Sequence, residues 1–236
     1  MDTKKKVARS VGALFLIAMV TSLAGGMWLE SMLAAPDYLD TLATNETQVL
    51  IGVLLELINC IAVVGIAVFF FPILRDHGET LALGYLGFRL VEVVILIAAV
   101  ISPLVLVALS REYAVAGAAE AAHFQTLGTV LIAARAQMAG LLVPIFFGLG
   151  AFLLYYSLYQ TKIVPRFISV WGLLAVVLMV ARNLLAAFGV TISADMVLVL
   201  PIILNEILLG IWLMAKGFNA PSAASRPARA ALDVTG

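Results

Sequence analysis

The last hydrophobic run of the chain, residues 197–216, reads V-L-V-L-P-I-I-L-N-E-I-L-L-G-I-W-L-M-A-K. At about 1.5 Å per residue, a helix of this length crosses the hydrocarbon core of a bilayer, which is about 30 Å thick. Asn205 and Glu206 lie near the middle of the run, just after Pro201. Because an unpaired carboxylate at that depth costs a few kcal/mol or more, we expect Glu206 to have polar partners in other segments.

The composition of the chain is that of a membrane protein. Of the 236 residues, 64% are hydrophobic and only 12% are charged, whereas a soluble domain usually carries about 25% charged residues. Six apolar runs are long enough to cross a bilayer, and none shows the period-two alternation of a barrel strand. We therefore predict an all-α polytopic membrane protein, a six-transmembrane-helix bundle with spans at about 7–29, 48–74, 81–109, 137–158, 167–188 and 195–216.

The segments outside these runs complete the predicted organisation. The alanine-rich stretch 110–135 favours helix, and we expect an outer interfacial helix within 112–135 or a long extension of span four. The first run follows K-K-K-V-A-R at residues 4–9 and lacks a good cleavage site, which favours an uncleaved first span over a signal peptide. Residues 1–219 then form a single membrane domain. Residues 220–236 are small, polar and interrupted by proline, which predicts a disordered cytoplasmic tail.

Lysine and arginine are distributed unevenly between the two sides of the predicted bundle. The connections on one side hold only Arg111 and Arg135. Those on the other side hold Lys4, Lys5, Lys6, Arg9, Arg75, Lys162, Arg166, Lys216, Arg226 and Arg229. Basic residues concentrate on the cytoplasmic side of membrane proteins, so both termini are predicted to be cytoplasmic.

Polar side chains within the predicted spans are the candidates for a buried cluster: Glu56, Asn59, Arg89, Glu92, Arg182, Asn183, Asn205 and Glu206. Counting depth along each helix predicts that Glu56, Arg182 and Glu206 meet in the outer half of the membrane. Arg89 and Glu92, three residues apart on one helical face, are expected below them.

Two further residues and a count of charges extend this prediction. Arg135 and Gln137, at the outer end of span four, are expected to rim the same cavity. Within the spans the acids outnumber the arginines by one, which leaves one carboxyl without a partner. Burial disfavours the ionised form of such a group. Glu206 is the deepest acid and has no arginine close in sequence, so we expect it to carry the extra proton.

Buried polar groups admit two interpretations. Ionisable groups inside a membrane often mark a path for ligands, ions or protons, but they also hold helices together and fix their register. Prolines inside spans three, four and six bear on the choice, because each frees the carbonyl one turn earlier. The carbonyls concerned are those of Ala99, Gly140 and Val197. A freed carbonyl needs a donor, which indicates either a polar cavity or a kink filled by a neighbouring helix.

No catalytic residues are predicted. His77 and His123 lie outside the spans and Cys60 is the single cysteine, so the sequence predicts no metal site, and it contains no phosphate-binding loop or nucleophile elbow. We expect no cofactor and no nucleic-acid partner. The expected partners are the lipid bilayer and a small-molecule or lipid ligand. Since Glu56 and Glu206 together could perform acid–base chemistry, an enzyme acting on a lipid-like substrate is the least favoured hypothesis.

Several stretches of the chain resemble a known family. They are P-R-F-I-S-V-W-G-L-L-A-V-V-L-M-V-A-R-N-L-L at 165–185, P-I-I-L-N-E-I-L-L-G-I-W-L-M-A-K-G-F at 201–218, A-R-S-V-G-A-L-F-L-I at 8–17 and F-R-L-V-E-V-V-I-L at 88–96. Together they resemble the bacterial membrane family catalogued as domain of unknown function 4386. Its members usually have glycine where this chain has Asn205, which implies a more polar site here. The resemblance implies a six-helix protein of the bacterial inner membrane and brings no activity with it.

These observations lead to two hypotheses about function. The first is binding or transport of a small molecule or lipid at the buried polar cluster, with proton coupling through Glu206. The alternative is a non-catalytic membrane scaffold or accessory subunit, in which the same residues serve stability alone.

Overall fold

The computed structural model describes residues 3–116, 118–190 and 195–219, and the predicted tail 220–236 lies outside the described residues. Within these ranges the chain is helical and contains no strand. The described residues form eight α-helices and one π-helix: α1 (Thr3–Leu33), α2 (Tyr38–Thr44), α3 (Glu46–Arg75), α4 (Glu79–Val115), α5 (Ala118–Gln137), the π-helix (Met138–Leu142), α6 (Val143–Thr161), α7 (Arg166–Ala187) and α8 (Asp195–Ala215).

Six helical stretches are long and apolar enough to cross a membrane: Lys4–Leu33, Glu46–Arg75, Glu79–Val115, Glu120–Thr161, Arg166–Ala187 and Val197–Ala215. This confirms the all-α class and the six predicted spans. Most of these helices extend beyond the predicted spans, because apolar runs mark only the hydrocarbon part of a helix. The polar turns outside that part remain helical until a breaker such as Pro36, Gly78 or Pro165 follows.

The fourth span is part of one long helical rod, which α5, the π-helix and α6 form together. Helix α5 runs through the π-helix into α6, so the segment 118–137 extends span four along α4. Ser102 Oγ of α4 donates a hydrogen bond to the carbonyl of Leu131 at 2.9 Å. Pro144 has no N–H group to donate to the carbonyl of Gly140, one turn earlier. Gly140 lies inside the π-helix, where backbone hydrogen bonds join each residue to the fifth and not the fourth residue along the chain. Of the two arrangements expected for this segment, the structure has the long extension.

The six spans form a closed ring. Each packs against the next in the chain, in the order α1, α3, α4, α6, α7 and α8, and α8 packs against α1. Close approach at the closing contact depends on small residues, because Gly12 of α1 faces Gly210 of α8 backbone to backbone. Two helices three places apart in this order, such as α4 and α8, therefore face each other across the interior.

Candidate functional site

Arg89 and Glu92 form a buried ion pair on α4. Three residues along a helix return to nearly the same face, which brings the two side chains together. Arg89 Nη1 donates to Glu92 Oε2 at 2.8 Å. The two residues are 2% and 3% exposed. Arg89 lies ten residues after Glu79, or about 15 Å along α4 from its beginning.

Glu206 reaches this pair from the opposite side of the ring. Its Oε1 lies 4.0 Å from Arg89 Nη2, and its side chain is 14% exposed. It sits nine residues before the end of α8, at about the same depth as Arg89. We call Arg89, Glu92 and Glu206 the central cluster. One guanidinium here faces two carboxyl groups, and Glu206 is the less closely paired of the two.

Aromatic rings hold the guanidinium of Arg89 in place. Its carbon Cζ lies 4.9 Å from the ring centroid of Phe147 on α6 and 5.9 Å from that of Tyr85, one turn earlier on α4. Both distances allow attraction between the cation and the ring face. These rings also restrict the rotation of the arginine, so its charge stays directed toward the two acids.

A cavity of about 150 Å³ adjoins the central cluster. Its walls come from α1, α3, α4, α6 and α8, and Phe15, Val63 and Phe147 supply apolar surface. Ser22, which also lines the cavity, is exposed. Its polar lining consists of Ser22, Asn59, Arg89, Glu92 and Glu206.

Several buried polar atoms in and around this site have no hydrogen-bond partner among the protein atoms. Arg89 Nε belongs to the central cluster itself, and Tyr85 OH belongs to the ring beside it. Tyr155 OH on α6 and Asn205 Oδ1 on α8 share this property. Buried donors and acceptors are usually paired. Of these atoms, Arg89 Nε belongs to a residue that lines the cavity, so it leaves hydrogen-bonding capacity for a polar guest.

Arg135 is the buried centre of a second cluster, which we call the Arg135 cluster and which also contains the half-buried Glu56 and the exposed Glu30. Arg135 Nη2 donates to Glu56 Oε1 at 2.5 Å, and its Nη1 donates to Glu56 Oε2 at 3.1 Å. Its Nε donates to Glu30 Oε1 at 3.1 Å. Nη1 also donates to the carbonyl of Ala99 at 3.1 Å, which is the carbonyl that Pro103 frees.

The structure corrects the expected meeting of Glu56, Arg182 and Glu206. Glu56 pairs with Arg135, and Glu206 faces Arg89. Among the described residues, no salt bridge joins Arg182 to either acid. The physical reason is that counting residues gives the height of a side chain along its helix but not the direction in which it points around the bundle.

Arg135 and Gln137 were expected to rim the same cavity, and the structure places neither among the residues that line it. Arg135 is 4% exposed and lies within its own cluster. Gln137 is exposed and is not among the residues that line the cavity. The reason is that the helix does not begin near Arg135. It continues from α5 into α6, and Arg135 lies within this rod beside α3 and α4.

Of the remaining candidates, Asn183 and Asn205 donate to backbone carbonyls, and Arg182 donates to the side chain of Asn183. Arg182 Nη1 donates to Asn183 Oδ1 at 2.8 Å, and Asn183 Nδ2 donates to the carbonyl of Met179 at 2.8 Å. Asn205 Nδ2 donates to the carbonyl of Ile168 at 2.9 Å and so ties α8 to α7. Of the eight residues expected in the polar cluster, the cavity therefore collects Asn59, Arg89, Glu92 and Glu206.

Sequence reasoning missed Tyr85, Phe147 and Glu30. The signal for Tyr85 was its position four residues before Arg89, which places both on one face of α4. The signal for Glu30 was its position at the end of the first apolar run, where α1 continues to Leu33. Nothing in the sequence indicates that Phe147 meets Arg89, since that contact depends on how α6 packs against α4.

A family model described as "Domain of unknown function (DUF4386)" matches residues 10–217 of the chain. This range includes both clusters and the cavity. No curated protein and no solved structure matches the chain.

Proposed function

The chain belongs to the DUF4386 family of domains of unknown function, and we propose that it binds a small polar molecule in the cavity beside the central cluster, with Glu206 exchanging a proton. The observation that supports this most directly is the position of Glu206. It borders the cavity from α8 and shares the single guanidinium of Arg89 with the more closely bound Glu92.

The charge balance of the central cluster supports a proton or a cationic group as part of the bound species. With both carboxyl groups ionised, the cluster carries one excess negative charge. Ionisable groups inside a membrane require compensation. Either a proton on Glu206 or a positively charged group in the cavity supplies it, and exchange between the two links binding to protonation.

The size of the cavity favours a small solute over a whole lipid. Pockets for drug-sized ligands usually measure about 300–1,000 Å³, and this cavity measures about 150 Å³. Its mixed lining suits a molecule with a charged or hydrogen-bonding end and a short apolar part. Transport would additionally require that the cavity open alternately to the two sides of the membrane.

We place the protein in the bacterial cytoplasmic membrane with both termini in the cytoplasm. Support for the membrane comes from the six apolar helices. Support for the orientation comes from the concentration of lysine and arginine at one end of the bundle.

Chemical modification of Glu206, compared between wild type and a Glu206 variant, tests the proposal. Dicyclohexylcarbodiimide reacts with protonated carboxyl groups in apolar surroundings: the proton passes to a nitrogen of the reagent and the carboxyl oxygen adds to its central carbon. We therefore expect it to modify Glu206 in the protein reconstituted in nanodiscs. Mass spectrometry of peptides from wild type and from Glu206→Gln would locate the adduct. Small amines and amino acids, added before the reagent, are expected to slow the modification if they occupy the cavity.

The matched control is Glu112→Gln, the same substitution at an exposed residue of α4. It should leave modification of Glu206 at the wild-type rate. The proposal fails if Glu206 does not react, or if the amines and amino acids leave its modification unchanged.

A purely structural function is the second candidate. It is favoured by the Arg135 cluster, in which one side chain links α1, α3, α4 and α5. In that case Glu206→Gln would change only the stability of the bundle, and no small molecule would affect reaction at Glu206.

A further inference from the structure

A second pocket lies at the basic end of the bundle, where the beginning of α1, the turn between α3 and α4 and the end of α8 come together. Its volume is about 550 Å³. We call it the basic-end pocket. Its polar lining consists of Lys4, Lys5, Asp76, His77, Lys216 and Asn219.

The lysines of this pocket, Lys4, Lys5 and Lys216, have no acidic partner in an ion pair within the part of the chain that the structure describes. Among the described residues that line the pocket, Asp76 is the single acid. Three ammonium groups therefore face one carboxylate, which leaves an excess of about two positive charges at the mouth.

The wall of the pocket is a fixed part of the fold. Gly217 adopts a φ of 77°, a conformation that glycine tolerates without strain, and it turns the chain back after α8. The next residues are then anchored. The ring of Phe218 packs edge-on against that of Phe70, with the two ring centroids 6.0 Å apart. The backbone N–H of Asn219 donates to the carbonyl of Ile163 at 2.8 Å.

The pocket combines this charge with apolar surface. Ile73, Ile163 and Phe218 line it beside the lysines. On the turn between α3 and α4, His77 Nδ1 lies 3.0 Å from the carbonyl of Ile73 and is hydrogen-bonded to it, which holds the ring and leaves Nε2 for another partner. A free inorganic anion uses only the charged part of such a pocket, whereas a lipid uses both parts.

We propose that the basic-end pocket binds the phosphate of an anionic phospholipid. The ammonium groups of Lys4, Lys5 and Lys216 bind the phosphate oxygens, and the isoleucine and phenylalanine side chains contact the glycerol and the first carbons of the acyl chains. Basic pockets between membrane helices on the cytoplasmic side are suited to such head groups. The site is separate from the cavity beside the central cluster, so this inference takes from the proposed function only the cytoplasmic orientation of this end of the bundle.

Thermal unfolding of the full chain in detergent tests this inference. Short-chain phosphatidylglycerol should raise Tm, and short-chain phosphatidylcholine and inorganic phosphate at the same concentration should not. In Lys5→Gln/Lys216→Gln the concentration needed for half of the effect should rise more than tenfold, because each lysine near an anionic head group contributes appreciably to binding.

The matched control is Lys6→Gln/Lys162→Gln. It removes two charges from the same end of the bundle, but neither residue lines the pocket. This variant should respond to phosphatidylglycerol as wild type does. The conservative variant Lys5→Arg/Lys216→Arg should also retain the response, which shows that the loss in the glutamine variant follows from charge.

Three results would overturn the inference. Equal weakening in both double glutamine variants would mean that the lipid is attracted by diffuse charge. An equal effect of inorganic phosphate would replace the lipid with a free anion. A rise of Tm with phosphatidylcholine as large as that with phosphatidylglycerol would remove the role of the lysines. Glu206→Gln should leave the response unchanged.

Discussion

At the scale of single residues, Arg135 has the largest predicted effect on stability. Its planar guanidinium presents several donors in a fixed geometry, and these bind Glu30, Glu56 and the freed carbonyl of Ala99. The partners belong to three helices other than its own. Removing this side chain therefore leaves acceptors unsatisfied at several places at once.

We expect Arg135→Gln to lower the free energy of unfolding by about 3–5 kcal/mol, the range for breaking a buried ion pair on one side. Unfolding in mixed micelles with increasing dodecyl sulfate would measure it. The control Arg111→Gln removes an exposed arginine that pairs with Glu46, and such pairs contribute little to stability.

A rescue variant separates lost charge pairing from lost packing. Glu56→Gln/Arg135→Gln removes both partners, so it should be more stable than Arg135→Gln alone. If the double variant is no more stable than Arg135→Gln alone, the contribution of Arg135 comes from packing and not from its charge.

Individual contacts could be predicted from the sequence only where both residues belong to one helix. The pair of Arg89 and Glu92 follows from their spacing of three residues. The contact of Glu206 with Arg89 and that of Glu56 with Arg135 could not be predicted in the same way, since each depends on the rotation of two helices relative to each other. Sequence reasoning therefore identified all three charged residues of the cavity and the pairing of Arg89 with Glu92, but it placed Glu206 beside Glu56 and Arg182 instead of Arg89.

At the scale of helices, the contact between α1 and α8 limits which residues can occupy position 12. A Cβ atom added to Gly12 would lie 2.5 Å from the carbonyl oxygen of Gly210 and 2.9 Å from the backbone nitrogen of Met214. Backbone atoms cannot move aside as a flexible side chain can, so the two helices would have to separate.

We expect Gly12→Ala to destabilise the bundle by about 1–3 kcal/mol, the usual cost of overpacking. The control Gly26→Ala lies on the same helix and has no neighbouring heavy atom within 4 Å of the added Cβ. Alanine favours helix over glycine by up to about 1 kcal/mol, so this control should be neutral or slightly stabilised. Unfolding in mixed micelles would measure both variants, and equal signs for the two changes would contradict the expectation.

The helices themselves were predictable because hydrophobic runs of sufficient length leave few alternatives in a membrane. Their extent was not. No apolar pattern marks the stretch 118–137 as a continuation of α6, because alanine-rich helix is equally compatible with a separate segment. The continuity follows from packing along α4, which a single sequence does not contain.

At the scale of the whole molecule, six spans make an even number of crossings. This number predicts that both ends of the chain lie on one side of the membrane. Reporter fusions would test the orientation that we propose. Green fluorescent protein fused after Gly78 or Asn219 should fluoresce, because those positions are expected in the cytoplasm. Alkaline phosphatase should be active after Pro36 or Gly189.

A positive result for alkaline phosphatase after Gly78 would reverse the orientation while leaving the fold intact. The charge of the first segment gives an independent control. Replacing Lys4, Lys5 and Lys6 together by glutamine should weaken the preference for one orientation, because basic residues near a span determine it.

The short π-helix affects the direction of side chains that lie well away from it along the same rod. The π-helix Met138–Leu142 widens one turn and so adds the equivalent of one residue to the rod, which turns everything beyond it by about 100°. Phe147, which touches Arg89, lies on one side of that turn, and Arg135 lies on the other. The extra residue in the π-helix therefore changes the angle around the helix axis between Phe147 and Arg135. Phe147 faces the cavity, and Arg135 faces its own cluster.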